Sequence, residues 1–178
     1  MKNNLTTAFF NSPLGLVRIT GNDAGVSTIS CTDVSVDVLA EHQLPESNSA
    51  GPVQQAVDQL TAYFAGTRKT FDFPMTPAGT TFQQSVWRLL TAVPFGTTLS
   101  YLTLSRQLGD EKAIRAVAAA NSRNPLWIVV PCHRIIGSDG SLTGYAGGLW
   151  RKQWLLEHEG SLPGAIQPGT KTGQLSLF

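Results

Sequence analysis

A cysteine followed directly by a histidine, Cys132-His133, is the pair in this 178-residue sequence whose residue types best suit nucleophilic chemistry. The pair comes after Pro131, which ends the apolar run 128–130. A free cysteine is only a few per cent thiolate at neutral pH, so a nucleophilic cysteine needs an activating neighbour such as histidine. A histidine in this role needs a carboxylate behind it to fix its tautomer. The pattern predicts a nucleophilic cysteine; the alternative is a buried core cysteine beside an unrelated histidine.

Adjacent side chains of an extended chain point to opposite sides, so we expect His133 to reach Cys132 through a turn or a bridging water. The chain has two cysteines, Cys31 and Cys132, which are too few for a disulfide framework at this size. The three histidines, His42, His133 and His158, add no metal-ligand spacing. We therefore expect no metal and no cofactor.

The composition, 42% hydrophobic and 14% charged with a net charge of +1, excludes a disordered, fibrous or polybasic protein. Residues 80–178 carry nine basic and five acidic side chains, so this half is modestly basic and compatible with a phosphate-bearing partner. The start of the chain lacks the apolar stretch of a signal peptide, and no run approaches the ~18 apolar residues of a membrane span. We expect a cytoplasmic protein with free thiols and no membrane contact.

The N-terminal half has the pattern of a small sheet packed on a helix. Two β-branched runs flank a turn cluster and predict a hairpin with strands at 14–20 and 26–30. Apolar residues at helical spacing predict a helix that begins at Pro52 and stops at Gly66. Residues 71–73 alternate like an edge strand. Nothing in this half converges on chemistry, so it is predicted to be a scaffold.

A proline- and glycine-rich stretch, 74–80, is the predicted domain junction. Beyond it, Thr81 and Gln84 predict a capping box for a helix that ends at Pro94.

Two further helices are predicted around a tight turn. Ser100 is expected to cap a short helix that Gly109 closes, and Asp110 to cap the next one. The inward-facing residues of this second helix are expected to be Ile114, Val117 and Ala118. Two helices joined in this way form a helix-turn-helix pattern.

The exposed face of the second helix consists of Arg115 and small alanines. Small side chains let a helix approach another surface closely, and a long arginine on the same face can probe into that surface. The alternative is a helix that packs against its own neighbours through alanine.

Several motifs in order resemble those of O6-alkylguanine-DNA alkyltransferases, the methylated-DNA–protein-cysteine methyltransferases. Pro131-Cys132-His133-Arg134-Ile135-Ile136 closely resembles the family's active-site motif PCHRV/I. Upstream, Arg115-Ala116-Val117 and Asn124-Pro125 resemble its recognition helix and asparagine hinge, with the same eight-residue step to the cysteine. The closing segment is similar at Leu142, Gly144-Tyr145, Gly147-Gly148-Leu149, Lys152, Trp154-Leu155-Leu156 and His158-Glu159-Gly160. The similarity is dense over 80–160 and loose before residue 75.

The resemblance implies an α+β fold with two domains and a tail. A small sheet-plus-helix domain of the ribonuclease H-like class is expected at 1–75. A mainly helical domain with the helix-turn-helix is expected at 80–160, followed by a flexible tail at 161–178.

The resemblance also implies a reaction. Cys132 would accept a methyl or larger alkyl group from O6 of guanine in DNA, and by extension from O4 of thymine, by direct displacement. The thioether is not readily hydrolysed, so each molecule would act once. His133 would assist loss of the thiol proton through water, Glu159 would orient His133, and Asn124 would hold the turn around the active-site strand.

A methyl group on O6 lies inside the stacked duplex, so the nucleotide must be flipped out for transfer. The resemblance implies that Arg115 fills the vacated stack while the helix lies in the minor groove. Tyr101 would crowd the phosphate 3′ to the target and donate a hydrogen bond to guanine N3. The remaining DNA contacts would come from Ala116, Ala118, Ala119 and Arg123.

The flipped base would be recognised by backbone groups. The carbonyls of Cys132 and Ile135 would bind the exocyclic amine, and the N–H of Ala146 would bind O6. Tyr145 would line the wall, and Gly147 would permit close backbone approach.

The sequence departs from the family pattern twice. Ala118 replaces a common glycine, which adds a methyl group to the recognition helix. Trp127 replaces a smaller residue near the pocket mouth, where it either narrows entry against bulky O6-benzyl groups or packs on the scaffold.

The chain ends in Gln174-Leu175-Ser176-Leu177-Phe178 after a polar linker rich in proline, glycine and threonine. This pentapeptide resembles the QLxLF motif that docks bacterial proteins onto the replicative sliding clamp. The alternative is that Leu175, Leu177 and Phe178 fold back on their own domain.

The sequence therefore predicts a monomeric, single-turnover DNA-repair alkyltransferase that acts on the nucleoid. One alternative is a non-catalytic protein that binds alkyl lesions, although such relatives replace the motif cysteine. A cysteine hydrolase would place its histidine far from the cysteine in sequence, and a plain helix-turn-helix regulator would not need the Cys132 motif.

Overall fold

The structure is a computed structural model that describes residues 5–33 and 51–162. The predicted clamp-binding peptide, from Gln174 to Phe178, lies outside the described residues. Within them, no helix combines the length and the apolar character needed to cross a membrane.

An antiparallel sheet with strand order β1-β2-β3 forms the N-terminal part. Its strands are β1 (Thr6–Ser12), β2 (Gly15–Asn22) and β3 (Gly25–Thr32). The predicted hairpin is confirmed as β2 and β3, and β1 extends it by a third strand. Val17, Ile19 and Ile29 are fully buried on the sheet and belong to the main hydrophobic core.

Helix α1 (Pro52–Phe64) packs on this sheet. It begins at Pro52 as predicted, because a proline in the first turn loses no intrahelical hydrogen bond. Its buried face consists of Pro52, Val53, Ala56, Leu60 and Tyr63. The helix therefore uses the apolar face predicted from its periodicity.

The predicted edge strand at 71–73 is wrong. Phe71 packs on the Tyr63 ring with centroids 5.6 Å apart, and Phe73 is buried, so their alternation serves ring packing rather than strand pairing. The chain meets the sheet just after this segment, where Val26 N donates to Pro74 O and Thr76 N donates to Val26 O.

The C-terminal part is mainly helical. Its α-helices are α2 (Thr81–Thr91), α3 (Tyr101–Leu108), α4 (Ile114–Ser122) and α5 (Leu149–His158). Short 3₁₀ turns cover Glu111–Ala113 and Cys132–Arg134. A small parallel pair, β4 (Leu99–Ser100) with β5 (Ile135–Ile136), joins the start of α3 to the segment after the cysteine.

The helix ends largely follow the sequence signals. Ser100 caps α3 by accepting from Thr103 N, and Gly109 closes α3 in the left-handed region with φ 96°. The predicted capping box of α2 is wrong by one residue: Thr80 and Gln83 form it, because Thr81 already lies in the helix.

Helix α4 packs on α3 and α2 through Val117, Ala120 and Asn121. Ile114 does not face inward as predicted, since 37% of it is exposed. The reason is that Asp110 caps the 3₁₀ turn rather than α4 itself, so Ile114 becomes the first residue of the α-helix. Ala118 is half-buried.

Candidate active site

Cys132 begins a 3₁₀ turn and is buried, with 4% of its surface exposed. The active-site strand that the resemblance implied is absent at this position, so that prediction is wrong. Residues 127–130 instead form consecutive tight turns, in which Val130 N donates to Leu126 O and Cys132 N donates to Val130 O. Ile128 has a positive φ of 74°, a conformation that no regular strand contains.

The Asn124 side chain ties these turns to the thiol. Its Nδ2 lies 2.7 Å from Val130 O and 3.1 Å from Cys132 Sγ, and its Oδ1 accepts from Leu126 N at 2.9 Å. Asn121 on α4 donates to Cys132 O at 3.3 Å. The two asparagines therefore fix the backbone and the sulfur of Cys132; no role was predicted for Asn121 from the sequence.

Glu159 follows α5 and gathers the polar side chains behind the cysteine. His133 Nε2 lies 2.9 Å from Glu159 Oε1, and Arg134 Nε lies 2.8 Å from Oε2. From the N-terminal part, the Tyr63 hydroxyl donates to Oε1 at 2.8 Å. All four residues are buried, so this network is shielded from water.

The charge of Glu159 decides the tautomer of His133. Burial works to raise the pKa of Glu159, but the hydrogen bonds and charges of His133 and Arg134 outweigh it and hold that pKa well below its usual value. The ionised carboxylate can only accept, so His133 Nε2 must carry the proton. Burial lowers the pKa of His133 and favours the neutral ring.

The other ring nitrogen, Nδ1 of His133, is buried and has no hydrogen-bond partner among the described residues. In the neutral tautomer it carries a lone pair. Nδ1 can therefore act as a base, because Glu159 binds the other ring nitrogen, Nε2.

Burial raises the pKa of the Cys132 thiol, while the Asn124 hydrogen bond and the charge of Lys152 act in the opposite direction. Lys152 on α5 is fully buried and donates through Nζ to the carbonyls of Ile135 and Thr143. Burial lowers the pKa of Lys152 to about 8. The site thus holds a neutral thiol next to donors and a cation that stabilise a thiolate as it forms.

Neither Lys152 nor Arg134 was given a chemical role from the sequence, although both lie in the quoted motifs. A lysine among the apolar positions of α5 is the signal that could have indicated Lys152. Tyr63 offered no such signal, because its partner lies 96 residues away.

Three of the residues predicted to form the substrate pocket, Trp127, Tyr145 and Gly147, contact one another, and the Tyr145 hydroxyl lies beside Cys132. The Trp127 and Tyr145 rings have centroids 5.7 Å apart, and a Cβ added to Gly147 would lie 2.7 Å from the Trp127 ring. Ala146 is exposed and Ile135 is fully buried.

Tyr101, the first residue of α3, also lies near Cys132. Its hydroxyl is 3.3 Å from Gly144 O and accepts from Asn121 Nδ2 at 3.4 Å. Burial raises the pKa of Tyr101, and the nearby Cys132 adds to the shift, so the phenol keeps its proton.

Four of the six predicted DNA-contacting residues lie on the outward face of α4 or just after it, whereas Ala118 is half-buried and Tyr101 begins α3. Arg115, Ala116, Ala119 and Arg123 are exposed. The inward face of the same helix carries Asn121, which bonds to the Cys132 carbonyl, so α4 separates the cysteine from this surface by the width of one helix.

Two cavities, of about 250 and 220 Å³, lie on the side of Pro131, Arg134 and Val130, and neither is lined by Cys132. Among residues 5–33 and 51–162, no three His, Cys, Asp or Glu side chains are grouped closely enough to hold a metal ion.

Two family models match the chain. Residues 5–77 match the ribonuclease-like domain of 6-O-methylguanine DNA methyltransferase, and residues 81–161 match the DNA binding domain of the same family. Together with the described elements, these matches confirm the predicted α+β fold, with a small N-terminal sheet-plus-helix part before a mainly helical one.

Two similar proteins have the same name, methylated-DNA–protein-cysteine methyltransferase. A methylated-DNA–protein-cysteine methyltransferase of Methanosarcina acetivorans is 42% identical over 154 residues, which is 86% of this chain and 97% of that protein. Its counterpart in Mycobacterium tuberculosis is 42% identical over 151 residues, which is 85% of this chain and 90% of that protein.

Solved structures are similar over most of the chain. The crystal structure of Mycobacterium tuberculosis O6-methylguanine methyltransferase has a TM-score of 0.75 at 40% identity and covers 90% of this chain and 96% of that one. A structure of the Mycobacterium tuberculosis protein in complex with DNA has a TM-score of 0.73 at 39% identity, covering 86% and 91%.

Proposed function

The chain belongs to the 6-O-methylguanine DNA methyltransferase family, and we propose that Cys132 is its acceptor for an alkyl group from O6 of guanine. The family membership makes it a DNA-repair enzyme that transfers a methyl group from DNA to a protein cysteine. The proposal adds that each molecule acts once, as a monomer, on the nucleoid in the cytoplasm. The observation that carries it is the buried set of Cys132, Asn124, His133 and Glu159.

Transfer forms a carbon–sulfur bond at Cys132 and breaks the bond between O6 and the alkyl carbon. The thiol proton passes through a bridging water to His133 Nδ1, the buried nitrogen without a partner among the described residues. Glu159 stabilises the resulting imidazolium, and the Asn124 amide and Lys152 ammonium stabilise the developing thiolate. Guanine departs with the electron pair of the broken bond.

Tyr101 assists the departure of guanine. Its phenol donates to Gly144 O at 3.3 Å and accepts from Asn121 Nδ2, and when the substrate binds it turns its proton to N3 of the leaving base. Charge grows on the base only as the bond breaks, so this donor acts more strongly in the transition state than in the ground state.

The outward face of α4 enters the minor groove, where Ala116, Ala118 and Ala119 permit close approach and Arg115 replaces the flipped nucleotide. Arg123, at the end of α4, contacts a phosphate. The DNA complex of the similar Mycobacterium tuberculosis protein supports a DNA-bound state for this fold.

The flipped base is held between backbone groups and aromatic walls. Lys152 already binds the Ile135 carbonyl, whose oxygen has a second lone pair for the exocyclic amine. The Cys132 carbonyl already accepts from Asn121 Nδ2 at 3.3 Å and from the Ile135 N–H, so there the exocyclic amine replaces the long bond from Asn121. The N–H of Ala146 binds O6.

Tyr145 and Trp127 form the wall of this pocket, and Gly147 fits closely against the Trp127 ring. This packing disfavours bulky O6-benzyl groups relative to methyl. The same wall leaves room for the small O4-methyl group of thymine.

Duplex DNA carrying one O6-methylguanine with a labelled methyl group tests the proposal. The wild-type chain is expected to take up at most one equivalent of label. Cys132→Ala should take up none and still bind the duplex, whereas the matched variant Cys31→Ala should transfer normally. Label on Cys132→Ala, or label released to solvent, would contradict the proposal.

For the tail we propose that Gln174, Leu175, Leu177 and Phe178 bind the bacterial replicative sliding clamp. The support is the match of these residues to the QLxLF pattern after a polar linker. Deleting residues 174–178 should remove binding to purified clamp and leave alkyl transfer intact. Equal clamp binding with and without the peptide would end the proposal.

A further inference from the structure

Arg151, in the first turn of α5, is a buried cation whose contacts join two parts of the chain. Its Nε donates to Leu14 O at 2.9 Å, at the turn between β1 and β2. Its Nη2 forms an ion pair with Asp33, directly after β3. Its Nη1 donates to Gly147 O at 2.7 Å. One guanidinium group therefore bonds to the N-terminal sheet at two points and to the pocket segment at a third.

This position is electrostatically unfavourable for an arginine. A cation near the N-terminus of a helix is opposed by the helix dipole, and a buried cation must be paired. The side chain of Asp33 is 78% exposed, so its ion pair is screened by water and offsets only part of these costs. The two carbonyl bonds and the stacking of Arg151 on Trp150, 4.4 Å from the ring centroid, supply the rest.

The third contact, from Nη1 to Gly147 O, falls on a segment that has no hydrogen-bonded helix or strand to hold it. Residues 144–148, which we call the pocket segment, begin and end with glycines at φ 51° and 87° and contain no regular helix or strand. Lys152 and Tyr101 hold its start through the carbonyls of Thr143 and Gly144. Its far end packs on Trp127, and the bond from Arg151 to Gly147 O is the side-chain hydrogen bond that links this end to the sheet through Leu14 and Asp33.

The pocket segment faces the reacting sulfur. It contains Tyr145, whose hydroxyl is buried beside Cys132, and Gly147, which lies against Trp127. A shift of this segment by a fraction of an ångström would move the groups that hold the base, without moving Cys132 itself.

We propose that Arg151 is a positioning residue for alkyl transfer: it braces the pocket segment against the N-terminal sheet, so the sheet takes part in fixing the substrate base. The inference rests on the proposed function, since it concerns the same pocket. It gives the N-terminal part, in which the sequence showed no chemistry, a role in the rate of the reaction.

The geometry makes a specific demand on the side chain. Arginine presents several N–H groups in a fixed fork and reaches three acceptors in different directions, whereas lysine offers one ammonium group on a flexible stem. If the bracing depends on the fork, lysine at this position cannot replace arginine, although it keeps the charge.

Single-turnover transfer from labelled duplex DNA separates positioning from folding, because the reaction yields both a rate constant and an end point. In Arg151→Gln and Arg151→Lys, the rate constant at saturating DNA should fall about tenfold or more. The end point should stay near one equivalent, and the half-saturating DNA concentration should change by less than about twofold, because α4 is untouched. Arg68→Gln, which removes the surface pair with Asp72, is the matched control and should behave as wild type.

The same variants should react more slowly with a free O6-alkylguanine base, but Cys132 should be alkylated by iodoacetamide at the wild-type rate. Full activity in Arg151→Lys would overturn the proposal, because charge alone would then suffice. A lower end point with an unchanged rate constant would also overturn it, since that pattern indicates loss of folded protein only.

Asp33→Asn tests the same brace if the Arg151 variants do not fold, because Asp33 is largely exposed. It should slow transfer about threefold, in line with the loss of one screened ion pair, and an unchanged rate would contradict the brace. Failure of the wild type to transfer would instead overturn the proposed function.

Discussion

At the scale of single residues, burial keeps neutral the two groups to which we assign the reaction, the Cys132 thiol and the His133 ring. Burial raises the pKa of the Cys132 thiol and lowers the pKa of the His133 ring. The protonated thiol and the neutral ring, which are the donor and the acceptor of the proton, therefore predominate at neutral pH. Charges lie around them on Glu159 and Arg134, and on Lys152 below its lowered pKa of about 8. These charges stabilise the ion pair that appears when the proton moves.

Asn124→Ala tests the support of the thiol. It removes the donor to Cys132 Sγ and leaves the buried carbonyl of Val130 without that bond. We expect the free energy of unfolding to fall by about 1–3 kcal/mol and transfer to slow at least tenfold. Urea unfolding and single-turnover rates measure the two effects, and a rate equal to that of the wild type would contradict the role given to Asn124.

The lowered pKa of His133 predicts how stability depends on pH. Below its usual value of 6.5, the unfolded chain binds the proton more readily than the folded chain, so acid favours unfolding. Glu159 contributes in the same direction only below 4.5, because its pKa is lowered from that value. The free energy of unfolding should therefore decrease from pH 6.5 to 4.5 more steeply in the wild type than in His133→Gln. Parallel curves would show that His133 is not held neutral by the fold.

The residue types indicated Cys132 and His133, and the resemblance of the surrounding motifs to the alkyltransferase family added Asn124 and Glu159. Two residues that support the site from outside these motif positions, Tyr63 and Arg151, were given no role, because their contacts with Glu159 and Leu14 join residues 96 and 137 positions apart. Local spacing carries no information about such contacts, which depend on how the sheet packs against α5.

At the scale of elements, helices with clear end signals were predicted well and irregular segments were not. The apolar run 128–130 resembles a strand, but Asn124 and the hydrogen bonds between neighbouring residues hold it as tight turns. Likewise 71–73 alternates like a strand, although Phe71 packs on Tyr63 and Phe73 packs on Phe71. In both segments the local β propensity favours pairing with another strand, but side-chain contacts determine a different backbone conformation.

Helix α4 gives the prediction that belongs to this scale. Ala119→Glu places a negative charge on its exposed face, where the proposal puts DNA phosphates. Affinity for duplex DNA should fall at least tenfold, while transfer from a free O6-alkylguanine base stays unchanged. The control Thr61→Glu adds the same charge to the exposed side of α1 and should bind DNA as the wild type does. Unchanged DNA affinity in Ala119→Glu would place the DNA on another surface.

At the scale of the whole molecule, α1 and α5 join the two parts through one aromatic and polar contact. The Tyr63 hydroxyl bonds to Glu159, and His158 Nε2 lies 2.8 Å from Tyr63 O. The Trp154 ring stacks on His158 with centroids 4.9 Å apart. The active-site carboxylate is therefore held partly by the N-terminal part, so the two parts should unfold together.

Tyr63→Phe tests this coupling by removing one hydroxyl and little volume. It should lower the free energy of unfolding by about 1–2 kcal/mol, because a buried hydrogen bond to a carboxylate is lost. Tryptophan fluorescence, which reports the C-terminal part alone, and circular dichroism should give the same lowered urea midpoint. The control Thr61→Val removes an exposed hydroxyl of α1 and should shift the midpoint less. A fluorescence midpoint that stays at the wild-type value would show that the parts unfold separately.

The most direct test of the central claim is the mass of the protein after reaction with excess duplex DNA that contains one O6-methylguanine per molecule. The chain should gain one methyl group and no more, on the peptide that contains Cys132, while the DNA regains an unmodified guanine in equal amount. A methyl group on another residue, or more guanine restored than chains present, would contradict single-use transfer to this sulfur.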